Sequence, residues 1–256
     1  MDIKREMQKA KSRLLLKEPF FGMLLLGMEE VWDNKAPTCG VDGRNIYYNE
    51  KWLASLTTRQ RVGVMAHESR HLAYLHLFRR GSRASMLWNF AADYVVNEEV
   101  VRAGHELPDG SLLDSAFTGM TAEEGYEILM KKTRESSGRG GGRSGQPQGS
   151  GSRGNKQAGE DSGSSDGPDS PTGGTLDDHS YWDKIPEAER QKQEQKVKEV
   201  LVRAAEIAKS AGNLPGNFSG LLEDYLRPKL DLAQRLTRFV SSNSKADYTW
   251  VPPNRR

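Results

Sequence analysis

Apolar residues recur every three to four positions along most of this chain, with one long polar interruption. Met7, Ala10, Leu14 and Leu15 mark an amphipathic N-terminal helix that Pro19 interrupts. Phe20, Phe21, Met23 to Leu26 and Val31 continue the same core. Val41 to Asn49 changes to a short β pattern, with Asp42-Gly43 as its turn. Thr57 and Gln60 stand at capping-box spacing before Val62, Val64, Met65, Ala66, Leu72, Ala73, Leu75 and Leu77, so a long apolar helix starts there. Trp88 to Asn97 predicts a second helix, and Thr121-Ala-Glu-Glu starts another that carries Tyr126, Ile128 and Leu129. Pro186 to Ala211 predicts a long helix with Val197, Val200, Leu201, Ala204 and Ile207 on one face and Gly212 as C-cap. A further helical stretch runs from Leu221 to Val240, kinked or split by Pro228.

The polar residues inside the apolar helices are the next signal. His67-Glu68-Ser69-Arg70-His71 is an H-E-x-x-H sequence. Two histidines four apart share one helix face, so their imidazoles can grip one metal ion. The glutamate after the first histidine can take the proton of a metal-bound water. An ordinary helix whose polar residues happen to match is the plain alternative. The apolar context argues against it, because buried His and Glu need partners and a metal satisfies all three.

A catalytic zinc takes three protein ligands and leaves the fourth position for water. Asn89, Asp93 and Asn97 recur at i, i+4 and i+8 and form one polar stripe on an otherwise apolar helix. A carboxylate in such surroundings is costly unless it meets a cation. The gap from His71 leaves room for a turn and a return helix, which would bring Asp93 to the metal. Pairing of Asp93 with Arg79, Arg80 or Arg83 is the alternative. Asn89 and Asn97 suit support of the liganding carboxylate. His76 lies about 500° around an ideal helix from His71, off the ligand face; it could serve as a third ligand only if the helix breaks first, and otherwise packs or orients a neighbour. Glu98 and Glu99 read as a solvated helix edge. Tyr94, His76 and His105 are the candidates for an oxyanion partner.

These residues carry a resemblance. Asp42 to Asn49, His67-Glu68-x-x-His71, Trp88-Asn89-x-Ala-Ala-Asp93-x-x-x-Asn97 and Gly119 to Tyr126 resemble the zincin-like metallopeptidase domain that stands N-terminal to VWA-like domains in bacterial and phage proteins. The likeness resumes at Asp178-His179-x-x-Trp182 and at Trp250 to Arg256. It implies one zinc ion per chain held by His67, His71 and Asp93, with Glu68 as the catalytic residue. It also implies a peptide or protein substrate. A VWA-domain protein and a MoxR-type AAA+ ATPase are the implied partners, and a metal-stabilised interaction module without proteolysis is the competing function.

Composition adds limits. Hydrophobic residues make up 36% and mean hydropathy is -0.73, low for a compact chain, and residues 135–176 account for the deficit. That stretch is rich in Gly, Ser and Pro, so a disordered linker is expected there. Its Arg-Gly tract lacks interleaved aromatics, and a net charge of +2 gives no bulk attraction to nucleic acid or membrane. Cys39 alone excludes an intramolecular disulfide and, with the charged N-terminus, fits a cytoplasmic location. The expected organisation is a metallopeptidase unit over 1–134, the linker over 135–176 and a helical segment over 177–256. The expected fold class is α+β and mostly α: a zincin-like active-site helix, a small β element and a C-terminal helical pair packed on the metal unit. Trp182 is read as a core anchor of that pair.

Overall fold

The computed structural model describes residues 2–139 (136–139 as backbone only), Trp182, 185–216, Phe218, Gly220 and Leu222. Its architecture is α+β and mostly helical. The chain divides into two compact units, Met1–Leu214 and Pro215–Arg256. All elements named below belong to the first. Residues 140–176 of the expected linker, and the stretch from Leu221 to Val240 except Leu222, lie outside the described residues; 135–139 extend a helix.

Helix α1 (Ile3–Lys17) begins at Asp2, whose carboxylate accepts from the Arg5 amide, and buries Ile3, Met7, Ala10 and Leu14. Pro19 does not lie in that helix; it opens α2 (Pro19–Leu26), where its missing N–H costs nothing. The two helices cross closely at Gly22, where a Cβ would come within 2.4 Å of the Leu15 Cα. Three short strands follow. β2 (Cys39–Val41) and β3 (Asn45–Tyr48) form the expected hairpin, and β1 (Glu29–Trp32) adds in parallel to the far side of β3. The turn is held by Asp42: its carboxylate accepts from the amides of Arg44 (2.8 Å) and Asn45 (2.6 Å) and from the Tyr47 hydroxyl (2.8 Å). Gly43 takes φ +88° there, a region that L side chains rarely adopt.

Helix α3 (Glu50–Ser55) leads into α4 (Thr58–Ala73), which starts at the Thr57–Gln60 capping box. All but its first three residues are buried. α4 packs on α1, α2 and β2, and Tyr48 of β3 reaches it with a hydroxyl 3.7 Å from Met65 Sδ. α5 (His76–Arg79) is one turn long. α6 (Ser85–Arg102) packs on α4 and on α7 (Ala122–Arg139). The last described helix, α8 (Glu187–Ser210), lies on α2 and buries Val197, Leu201, Ala204, Ala205 and Ala208. Ile207, expected on that face, is 44% exposed; Ala208 takes its place because it falls on the 3.6-residue stripe. Among the described residues no helix is long and apolar enough to cross a membrane.

Candidate metal centre

Helix α4 carries His67 and His71 one turn apart, and α6 presents Asp93 to them. All three are completely buried. The two Nε2 atoms lie 3.1 Å apart, and Asp93 Oδ1 is 3.4 Å from His71 Nε2 and 3.9 Å from His67 Nε2. Tetrahedral bonds of about 2.0–2.1 Å place ligand atoms about 3.3 Å from one another, so these separations bracket that cage.

Hydrogen bonding decides how the imidazoles face. The Asn97 amide is locked, because its Nδ2 donates to the Leu112 carbonyl at 3.0 Å. Its Oδ1 therefore accepts from His67 Nδ1 at 2.8 Å. A neutral His67 then carries its proton on Nδ1 and turns the Nε2 lone pair toward His71 and Asp93. A lone pair and a carboxylate oxygen thus converge on His71 Nε2 in a site without solvent. Either a proton on His71 Nε2 or a cation shared by all three groups satisfies that convergence. The donor set of two imidazoles and one carboxylate fits a divalent metal.

Glu68 is also completely buried. Burial first, then the nearby Cys39, Glu30 and Glu68, hold the Tyr48 hydroxyl well above its usual pKa. Glu68 is thus near enough to Tyr48 of β3 for its charge to add to that shift, while its neighbour His67 meets Asn97 of α6. Adjacent residues on a helix step by about 100°, so His67 and Glu68 leave α4 in different directions.

The support beneath α4 is ionic. Arg70, in the fourth position of the motif, is 1% exposed. Its guanidinium donates to Glu18 Oε1 (2.9 Å) and to the Ala66 carbonyl (2.9 Å), lies 3.3 Å from Glu99 Oε1, and covers the Phe21 ring at 4.0 Å. His105 contacts the other Glu18 oxygen at 2.6 Å. Burial pushes the Glu18 pKa up, but the His105 hydrogen bond and the Arg70 charge outweigh it and the net direction is down. Glu99 is therefore no solvated edge: it pairs with Arg70 and accepts from Tyr74 Oη at 2.5 Å. Trp182 is 2% exposed; its indole donates to the Val41 carbonyl at 2.8 Å and its ring centroid lies 5.5 Å from that of His71.

The other expected candidates are distributed as follows. Asn97 supports His67 rather than the Asp93 carboxylate. Asn89 is half-buried, with its Oδ1 shielded from solvent. Tyr94 stacks on Phe117 at 4.5 Å, with interplanar angle 10°; burial and then Asp114 raise its pKa. His76 contacts His71, and Arg79 pairs with Glu123 instead of Asp93. Sequence reasoning missed Arg70, Glu99 and Trp182 as parts of the site. The available signal for Arg70 was a guanidinium inside an apolar helix, which requires carboxylates brought from elsewhere.

The fold and this geometry define a protein with two histidines and one carboxylate buried together on packed helices, a cluster that could hold a metal ion. A family model described as "Putative metallopeptidase domain" matches residues 2–256, and the chain belongs to that family. No curated protein and no solved structure matches it.

Proposed function

We propose that the chain is a zinc-dependent peptidase. Two imidazole nitrogens and a carboxylate oxygen in a compact set suit zinc. His67, His71 and Asp93 would hold it. A zinc ion there supplies Lewis-acid polarisation of a substrate carbonyl and a water of lowered pKa. Glu68 takes the proton from the attacking water and returns it to the leaving amine. Asn97 holds His67 with its Nε2 lone pair inward. Asp93 would bring negative charge to the ligand set and so moderate how far a zinc ion held there lowers the pKa of water, compared with three neutral histidines. The substrate class is a peptide or protein. The resemblance to VWA-linked domains makes a VWA-domain protein and a MoxR-type AAA+ ATPase the partners to test, and a reducing cytoplasm suits the buried thiol of Cys39.

The observation that carries the reading is the His67, His71 and Asp93 cluster, buried on two packed helices with Glu68 buried on the same α4. Binding alone has no use for Glu68, which sets the peptidase against the interaction-module reading. The test is Glu68→Gln, which keeps size and hydrogen bonding but removes the base. Zinc content should stay near that of the wild type while cleavage of a mixed peptide library falls about 10²–10⁴-fold. Equal cleavage by both proteins would remove Glu68 from the chemistry. Zinc bound by both with cleavage by neither would put the interaction module in front.

A further inference from the structure

If α4 continued as a straight helix, His76 would lie on the wrong side to meet His71. It does not continue. α4 ends at Ala73 with Tyr74 as its C-cap, and Leu75 takes φ 54°, ψ 33°. Leu75 is the sole non-glycine residue with positive φ among the described residues. A left-handed leucine costs about 1–2 kcal/mol, and such a residue persists only where its surroundings impose it. The turn redirects the chain so that His76 opens α5 with Nδ1 3.2 Å from His71 Nδ1. The His76 ring is 1% exposed. It stacks on Tyr74 (centroids 5.5 Å, 19°) and meets the edge of Trp88 (6.1 Å, 88°), and its own carbonyl accepts from Trp88 Nε1 at 3.1 Å.

A neutral imidazole carries one N–H. For His71 to offer an Nε2 lone pair to a metal shared with Asp93, its proton must stand on Nδ1, and His76 Nδ1 faces that nitrogen at 3.2 Å. We propose that His76 is a positioning residue of the metal centre: it accepts the His71 Nδ1–H bond and fixes which nitrogen His71 offers to the metal, and the strained turn at Leu75 is what brings it there. The proposal rests on the metal-centre reading above. It gives each liganding imidazole its own acceptor, Asn97 for His67 and His76 for His71. A helix-borne asparagine could reach the first; the second lies past the helix end and needed a break.

The test compares His76→Asn with His76→Leu. Asparagine places Oδ1 close to the position of the histidine Nδ1 and keeps an acceptor; leucine fills similar space without one. Zinc affinity is measured by competition with a chelator of known strength, after circular dichroism of the metal-free proteins. His76→Leu should lose about 10–100-fold in affinity, while His76→Asn stays within a few-fold of the wild type. Wild-type affinity in His76→Leu would overturn the proposal, as would equal losses in both variants, which would indicate packing alone. A wild type that binds no zinc would overturn the metal-centre reading and this proposal with it. A second readout needs no variant: nitrogen-15 NMR of the zinc-loaded wild type should find the proton on His71 Nδ1 and none on His76 Nδ1. A proton on His76 Nδ1 would overturn the assignment.

Discussion

Helices α4 and α8 are both long, and they bury themselves by opposite means. α8 shows the core one stripe, Val197, Leu201, Ala204, Ala205 and Ala208, and leaves its remaining faces largely to solvent. α4 is buried from Arg61 to Ala73 with no exposed face along that run, although Arg61, His67, Glu68, Ser69, Arg70 and His71 are polar. Apolar burial is the main support of α8, with Arg190 donating to the Leu77 carbonyl beside it. α4 requires a partner for each polar group, and those partners come from Glu18 between α1 and α2, from α3, from α5 and from α6. Arg61 donates to the Leu53 carbonyl, Arg70 to Glu18, and His67 to Asn97. A helix that costs this much to bury is retained where its polar groups perform a task.

The sharpest way to break the contrast is Gly63→Ala. Gly63 lies one turn before His67, and a Cβ there would sit 1.9 Å from the Glu106 carbonyl oxygen. Alanine is favoured over glycine inside a helix by about 1 kcal/mol. An overlap with backbone exceeds that gain, since overpacking a tight site costs typically 1–3 kcal/mol and at this distance the upper end or beyond. We expect a net loss of about 3 kcal/mol in urea unfolding, together with weaker zinc binding, because α4 must move off the loop that also carries the Leu112 carbonyl. Unchanged stability would mean that the loop yields freely and does not brace the metal helix.

Leu201→Ala tests the other side. Leu201 is completely buried on α8, and a buried Leu→Ala change costs about 2–5 kcal/mol depending on how far the site collapses. A loss near 2 kcal/mol is expected, since one face of a surface helix can settle inward. Zinc affinity should not change. A parallel fall in affinity would show that α8, through α2, helps hold the centre, and the two helices would then be one energetic unit.

What could be read in the sequence follows the same division. The α8 stripe was legible because its period is local; the one error, Ile207 for Ala208, came from weighting side-chain hydrophobicity over spacing. That His67, His71 and Asp93 stand on apolar helices was legible because i, i+4 spacing is also local; their meeting is a contact between two helices. Three features were not. β1 is four residues long, begins with two glutamates and pairs in parallel with a strand that is not its sequence neighbour. The break at Leu75 has no glycine or asparagine to announce it. Arg70, Glu99 and Trp182 gain their roles from contacts over long sequence separations, and no spacing rule encodes those. Fold class needed only local patterns; the bracing of the site needed the tertiary structure.

The smallest effect expected is also the most specific. Glu18 holds a folded-state pKa below its ordinary value of 4.5, because the His105 hydrogen bond and the Arg70 charge outweigh the burial that opposes them. A depressed carboxylate pKa contributes stability that is present above the unfolded pKa and lost as pH falls through the folded one. The wild type should therefore lose this contribution below about pH 4.5, and Glu18→Gln should lack that part of the acid-side fall. Partial exposure of Glu18 keeps the effect modest, and the measurement is a series of thermal midpoints from pH 6 to pH 3 on both proteins, metal-free so that ligand protonation does not enter through zinc release. The variant should start lower at pH 6, since Arg70 then faces a neutral amide, and the two curves should converge in acid. Parallel curves would show that Arg70 draws its charge partner from Glu99 alone, and the ionic bracing beneath α4 would narrow to that one pair.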